Sequence, residues 1–491
     1  SVSSSTLMGH SGEGFISGIA VFNYNVGAIF VIIFVSLFFL PFYIKSGIYT
    51  IPEYLGRRFD NRSRKYFSFI TIIGNVFLDA GAALYTGALI LKIIFPEIDM
   101  MWIIIGMALM AGTYTIIGGL SSAINADMIQ SIILIAGSVL LSIFCFNSVG
   151  GWENFVEHFH DGVWLNLIRP NSDTTVPWFS IFLSIPILGF YFWGNNQVIV
   201  QRVMSAKTVN EGRLGFLFVA FLYVFTLFIF IAPGMVGRMI DLFGVGDTLH
   251  NEIIDGNTLR AQYGIDTNEV YPRLILKLLP VGLIGVMIAC MVSALTSTLS
   301  ATLSSVSTLF TMDFYKSWRP ESSPRHLVRV GQWTSFIALV VAVLWAPLIG
   351  KFASLVAYYQ EFSSYLAPPI VGTFLVALFW KGSTRNGAFA GLMSGLAMSA
   401  LIMTYKFGFG GVVPFHFLLW VPILLILSVL VNIIVSKCDR NKETDVETYT
   451  WNKSVWQDDT RELKTVPWYK NFRYISIALI IIALLEYWWF F

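Results

Sequence analysis

Met291-Val-Ser-Ala-Leu-Thr-Ser-Thr-Leu-Ser-Ala-Thr-Leu-Ser-Ser-Val-Ser-Thr-Leu-Phe-Thr-Met-Asp313 follows Leu283-Ile-Gly-Val-Met-Ile-Ala-Cys290 without a break, and together they are long enough to cross a bilayer. The second half is crowded with hydroxyls. On a helix, Ser293, Ser297, Ser300, Ser304, Thr308 and Thr311 fall on one narrow stripe, while Leu295, Leu299, Val306 and Phe310 point away from it. Inside a membrane such a stripe has two ordinary meanings. Small Ser and Thr side chains let helices approach closely and bond back to their own backbone. They also line wet or ion-bearing seams, because hydroxyl and carbonyl oxygens suit hard cations. Taken alone, the stretch favours packing; the rest of the chain shifts that balance.

The chain of 491 residues is 56% hydrophobic and 12% charged, whereas globular domains carry about 25% charged residues. Apolar runs of spanning length recur from end to end, so the chain is an all-α polytopic membrane protein. A formal net charge of +2, with no basic block, gives no footprint for nucleic acid. Cys145, Cys290 and Cys438 are scattered without metal or disulfide spacing, and the six histidines form no ligand pair at helical spacing. There is no Gly-x-Ser-x-Gly elbow, His-Glu-x-x-His or phosphate-binding loop, so no enzymatic set can be assembled.

About thirteen helical segments are expected. Ser1 to Ala20 is short and rich in hydroxyls and glycine, and reads as an interrupted membrane helix. It starts without an initiating Met or a charged leader, as a chain cut within an element would. Val26 to Tyr43 is a clear span, and spans follow at 66–94, 100–117, 124–147, 178–203, 214–237, 283–313, 330–349, 355–379, 385–405, 415–436 and 474–491. The connections after the second, sixth, eighth, tenth and twelfth segments carry the Lys and Arg, which puts them on the cytoplasmic side. The Trp- and His-bearing polar loop at 148–176, with its acids, reads as external, and a second long polar loop occupies 241–272. The first segment is broken, and the sixth is interrupted by Pro186, Gly189 and Gly194-Asn-Asn-Gln197. Paired interruptions five spans apart point to an inverted-repeat transporter with its site near the membrane midplane.

Ionisable groups inside a membrane are costly and mark function. Asp79 sits mid-span, Asp127 lies about one turn into the fifth segment, and Glu361 follows Gln360 just inside the tenth. The competing reading for each is a carboxylate that snorkels to the headgroups or pairs with an Arg, least so for the deeper Asp79. Trp193 beside Phe192 offers an aromatic face, against a background in which packing is the default.

Several stretches resemble the sodium:solute symporter family, most closely its sodium/glucose cotransporter branch: Ile44-Lys-Ser-Gly-Ile-Tyr-Thr-Ile-Pro-Glu-Tyr-Leu55, Gly118-Gly-Leu-Ser-Ser122, Ser184-Ile-Pro-Ile-Leu-Gly189, Asn196-Gln-Val-Ile-Val-Gln-Arg202, Ser307-Thr-Leu-Phe-Thr-Met-Asp-Phe-Tyr315, Gln360-Glu-Phe-Ser-Ser-Tyr-Leu-Ala-Pro-Pro369 and Phe379-Trp-Lys381. They run in order along nearly the whole chain. The resemblance implies a LeuT-like fold, a five-plus-five inverted repeat with extra C-terminal helices. Here the preliminary helix and the first half of the first core helix are lacking. The transport core is then 1–379, with additional C-terminal transmembrane helices in 380–491. It also implies a sodium ion between the first and eighth helices, held by the backbone of Val2 and Ala294 and the hydroxyls of Ser297 and Thr298. A second sodium site in some members uses Asp127, Ser300 and the following residue. That residue is Ala301, without a hydroxyl, which counts against a second sodium and leaves Asp127 to shape the exit path by its charge.

The implied solute site comprises Thr6, Tyr24, Asn25, Asp79, Phe192, Trp193 and Gln360. It departs from the sugar-transporting branch, which has Glu at Asn25, Tyr at Phe192, Asn or Lys at Asp79 and Lys at Tyr223. A carboxylate is lost at one place and gained at another, and polyol recognition is sensitive to each unpaired polar group. The expectation is a multi-pass protein of the plasma or inner membrane that moves a small solute, a sugar or polyol, with sodium by alternating access. Rival readings are a cationic solute balanced by Asp79, a sialic-acid-like solute met by Ser3-Ser-Ser-Thr6, and a membrane sensor that binds solute without moving it.

Overall fold

A backbone that crosses lipid must satisfy its own hydrogen bonds, and the apolar runs do so as helices. The computed structural model describes residues 3–48, 50–160, 162–173, 175–204, 206–245, 253–352, 354–411, 415–439, 449–464 and 466–490, without the side chains of 45–46, 114–128, 407, 454–455 and 462. The first half comprises α1 (Ser4–Ser17), α2 (Phe22–Phe38), α3 (Leu40–Ser46), α4 (Ile51–Arg58), α5 (Asn61–Gly74), α6 (Gly81–Ile94), α7 (Met100–Ser148), α8 (Trp152–Phe159), α9 (Trp178–Leu183), α10 (Ile185–Phe190), α11 (Gln197–Met204), α12 (Val209–Val224) and α13 (Ala232–Met239). The second half comprises α14 (Gly256–Tyr263), α15 (Val270–Leu278), α16 (Val281–Leu309), α17 (Lys316–Trp318), α18 (Pro324–Ile349), α19 (Leu355–Phe379), α20 (Arg385–Met403), α21 (Phe417–Cys438), α22 (Lys453–Leu463) and α23 (Phe472–Trp489). The β-type pairing among the described residues is an isolated bridge between Arg169 and Pro177.

Ten helical stretches among the described residues are long and apolar enough to cross a membrane, and α12 with the segment Leu227–Met239, bent by 49°, makes an eleventh. Dividing α1 from α2 at Gly18 and adding the shorter apolar stretch Met100–Thr113 supplies the remaining segments read from the sequence. One difference is plain. The spans expected at 100–117 and 124–147 belong to a single helical run, α7.

Burial separates centre from rim. The most apolar window of Ser4–Phe38 is 83% buried and that of Leu355–Phe379 78%, whereas that of Phe472–Trp489 is 22% buried. The first two form the middle of the bundle, and α23 faces lipid with Trp488 and Trp489 exposed at its end, where amphipathic rings suit the headgroup region.

The expected interruptions are real features of the backbone. α1 stops at Gly18, whose φ of 69° is open to glycine, and a side chain there would also strike the Trp164 carbonyl. The sixth segment kinks at Ser184 ahead of Pro186, widens into a π turn over Tyr191–Asn195, and straightens to an extended Asn196 before α11. A second π turn, Asn75–Ala80, joins α5 to α6. α1 is held against α13 with almost no clearance: a methyl at Gly14 would overlap the Ile231 carbonyl, and one at Gly234 the Ser11 carbonyl. Two small residues thus let the helices meet backbone to backbone.

Candidate functional site

The two broken segments and α19 enclose a cavity of about 220 Å³ in the middle of the bundle. All seven expected solute residues line it: Thr6 from α1, Tyr24 and Asn25 from α2, Asp79 from the π turn 75–80, Phe192 and Trp193 from the π turn 191–195, and Gln360 from α19. π turns carry one extra residue and re-aim the side chains on them, which is why they recur at functional sites. Asp79 and the aromatic pair therefore reach the cavity from segments that a regular helix would rotate away.

The aromatic wall is rigidly built. Trp193 meets Phe192 edge-on with ring centres 5.2 Å apart, Tyr223 at 5.5 Å and Phe216 at 6.0 Å. Phe192 in turn meets Tyr359 at 6.2 Å. The same lining carries polar groups. The Tyr359 hydroxyl hydrogen-bonds the Asp79 carboxylate, and Asn25 donates to the Thr226 hydroxyl at 2.7 Å. His10 bridges the Thr6 carbonyl and the Asn25 carbonyl oxygen, each at 2.9 Å.

Sequence reasoning missed His10, Tyr359 and Thr226, as well as Glu13. Glu13 is buried on α1 and accepts a hydrogen bond from Ser354, the residue capping α19. It lines a second cavity of about 110 Å³ that shares Tyr24, Val356 and Gln360 with the first. A lone acid in an apolar, glycine-rich segment was the available signal for Glu13. Glu361 lies away from the cavity lining, paired with Lys406 and bonded by Tyr365.

The hydroxyl stripe of α16 divides its work. Leu295, Leu299 and Val306 are buried, and the stripe serves packing at two places: Gln130 donates to Ser293 at 2.5 Å, and Gly331 sits over Ser307. Thr298, whose hydroxyl also donates to the Ala294 carbonyl at 2.9 Å, reaches the cavity together with Thr302. One turn back, the Ser4 hydroxyl donates to the Met291 carbonyl at 2.8 Å, holding the start of α1 on α16. Ala294, Ser297 and Thr298 therefore stand where α1 begins, and Ser300 is buried beside them. Val2 and the Asp127 side chain, the other expected sodium-site groups, lie outside the described residues.

A model of the sodium:solute symporter family matches residues 1–395. Solute carrier family 5 member 4 of Rattus norvegicus is 32% identical over 474 residues, covering 89% of this chain and 70% of its own. Sodium/glucose cotransporter 1 of Oryctolagus cuniculus is 30% identical over 471 residues, with the same coverage of 89% and 70%. The sodium/mannose cotransporter SLC5A10 of Bos taurus is 32% identical over 407 residues, covering 79% and 68%. The chain thus spans between 68% and 70% of the length of these three relatives. Among solved structures, a Na+-coupled sialic acid symporter in a substrate-bound outward-open state superposes with a TM-score of 0.73 at 22% identity, over 90% of this chain and 88% of that one. At that identity the likeness speaks for the fold, the all-α, leucine-transporter-type arrangement expected from the sequence. With a broken first and sixth segment around one central cavity, and a family match over most of its length, the chain belongs to the sodium:solute symporter family and is a multi-pass, sodium-coupled symporter of a small organic solute, not an enzyme.

Proposed function

We propose that the solute is a sugar or polyol, bound among Thr6, Tyr24, Asn25, Asp79, Phe192, Trp193 and Gln360. One observation carries the reading: the lining of one cavity combines an aromatic pair, Phe192 and Trp193, with hydrogen-bonding groups. Such a pairing suits the apolar face and the hydroxyl edge of a polyol. Cotransport of glucose and mannose, named for two relatives, agrees with it. A second reading, a cationic solute, is favoured by Asp79, since no Lys or Arg lines the cavity among the described residues.

Sodium is placed between α1 and α16, on the Val2 and Ala294 carbonyls and the Ser297 and Thr298 hydroxyls. Oxygen ligands of this kind suit a hard cation, and Thr298 lies on the wall that the solute also touches. Each ligand then strengthens the other by the same factor, and the bundle rocks to release both inward. Residues 1–379 form the transport core and 380–491 the additional helices; the support is that the cavity lining ends at Ser363.

The test is uptake into proteoliposomes of labelled hexoses, inositols, sialic acid and small amines, with and without a sodium gradient. Sodium-driven accumulation of a hexose or inositol supports the reading; accumulation of the amine alone selects the cationic solute. Exchanging Ser297 and Thr298 together for Ala abolishes sodium-dependent uptake if the ion sits there, and unchanged uptake removes the site.

A further inference from the structure

His10 stands in the cavity wall between two groups that demand opposite things of it. Its Nδ1 lies 2.9 Å from the Thr6 carbonyl, which only accepts, so Nδ1 carries a proton. Its Nε2 lies 2.9 Å from the Asn25 carbonyl oxygen. The orientation of that amide follows from the next link. The Thr226 hydroxyl has one proton and gives it to the Tyr223 carbonyl at 2.6 Å. It must therefore accept from Asn25, whose amide nitrogen lies 2.7 Å away. That leaves the amide oxygen facing His10, and Nε2 must donate as well. The chain Thr6–His10–Asn25–Thr226–Tyr223 closes in this direction only with the imidazole doubly protonated.

A second complete pattern exists for the neutral ring. Nδ1 keeps its proton on Thr6, Nε2 becomes an acceptor, the Asn25 amide turns over to donate to it, and the Thr226 hydroxyl swings from Tyr223 to the amide oxygen. Every donor again has an acceptor, and among the acceptors the Tyr223 carbonyl gives up one bond. We propose that His10 sets the hydrogen-bond polarity that Asn25 offers the solute, a proton on the ring being exchanged for a turn of the amide. This rests on the reading that Asn25 faces the solute.

The charges around His10 fit such a role. On its own helix, Glu13 lies one turn further on and is occupied by Ser354. Asp79, with Tyr24, Tyr191, Tyr223 and Tyr359, shares the cavity. The remaining charges on elements packed against α1 are engaged elsewhere: Arg238 of α13 lies over Phe15 and Trp164, Glu269 pairs with Arg273 of α15, and Asp266 pairs with Arg260 while Tyr85 of α6 bonds it. Glu361 of α19 pairs with Lys406, Lys277 of α15 donates to the Ile240 carbonyl, and Lys92 of α6 donates to the Pro96 and Ile98 carbonyls. Asp79 is thus the acid that shares the cavity with the ring.

The test uses the full chain in sodium-containing bilayers with 15N-labelled histidine, the His10 signal being assigned by its loss in His10→Gln. Between about pH 5 and pH 9, His10 is expected to pass from two protonated nitrogens to one. Its midpoint is expected to fall in Thr226→Val and Asn25→Leu, which remove acceptors that support the charged pattern, and to be kept in Thr226→Ser. A ring that never takes the second proton, or a midpoint the same in wild type and both truncating variants, overturns the proposal. These signals need no solute, so they stand or fall apart from the sugar reading. For whichever panel solute is accumulated, KM then moves with external pH by at least about fivefold around that midpoint, with kcat unchanged, and is flat in His10→Gln. A KM that ignores pH in wild type sinks the link to the solute.

Discussion

Asp79 is an acid placed where lipid makes charge expensive, and its partner in the cavity is the Tyr359 hydroxyl rather than a base. That arrangement leaves the carboxylate without a basic partner in the cavity lining among the described residues, and the proposed site gives it the solute to act on. Asp79→Asn therefore divides the two solute classes: affinity for a cationic solute should fall at least about thirtyfold, since truncating one partner of a buried charge pair costs about 2–5 kcal/mol, whereas a polyol keeps its binding within about tenfold. Competition binding with the accumulated solute measures the difference. Asp79, Asn25 and the Phe192–Trp193 pair were legible from sequence because each departs from its surroundings or matches a family position. His10 was not, since its partner Asn25 lies beyond the turn at Gly18, and nothing in the spacing says how that turn folds back. Tyr359 was hidden by numbers: one aromatic among 20 tyrosines carries no signal until a neighbour is known.

At the scale of elements, the helices and their breaks followed from hydropathy, proline and glycine, while the width of the turns at 75–80 and 191–195 did not. A π turn differs from an α turn by one residue in register, and no residue type marks it. The same gap explains Glu361. Pairing with an Arg was one of the readings open to it, whereas the partner is Lys406, from the end of the following helix. The pair ties the outer half of α19, which carries Tyr359 and Gln360, to the peripheral helix α20. The side chains are 34% and 13% exposed for Lys406 and Glu361, so removing one partner should cost about 1–3 kcal/mol, below the range for a fully buried pair. Glu361→Gln and Lys406→Met should each lower the melting temperature in detergent, and the double variant should recover most of the loss. Additive losses in the double variant would show that the pair contributes nothing as a pair.

For the whole molecule, the sidedness read from basic connections gathers several ties on the cytoplasmic face. Asp313, at the inner end of α16, accepts from Arg64 and Ser68 of α5 at 2.5 Å each and from Thr50 at 3.3 Å. Arg213 of α12 pairs with Asp459 of α22 at 2.7 Å, and Arg473 lies 3.7 Å over Trp456. The first cluster joins the helix proposed to hold sodium to the helix that leads to Asp79. Alternating access requires such a closure to open. Asp313→Asn should raise hydrogen exchange in 61–74 and 305–315 at saturating sodium without changing the solute's equilibrium contacts; unchanged exchange would mean that the cluster does not hold the inner end shut. Order and span of the helices were legible because lipid constrains them from outside. The placement of α22 beneath the bundle was not, because its contacts with α12 and α23 are long-range and polar.

The wide turn at Asn75–Ala80 has a consequence for how this pocket can change. Removing one residue there would tighten the turn to an ordinary helix and rotate all that precedes or follows it by about 100°. Asp79 would leave the cavity while α6 kept its own composition. For this site, then, chain length is a variable as powerful as residue identity. A single-codon deletion or insertion in that turn would alter the repertoire of solutes in one step, where a route through substitutions would have to rebuild the polar lining piece by piece.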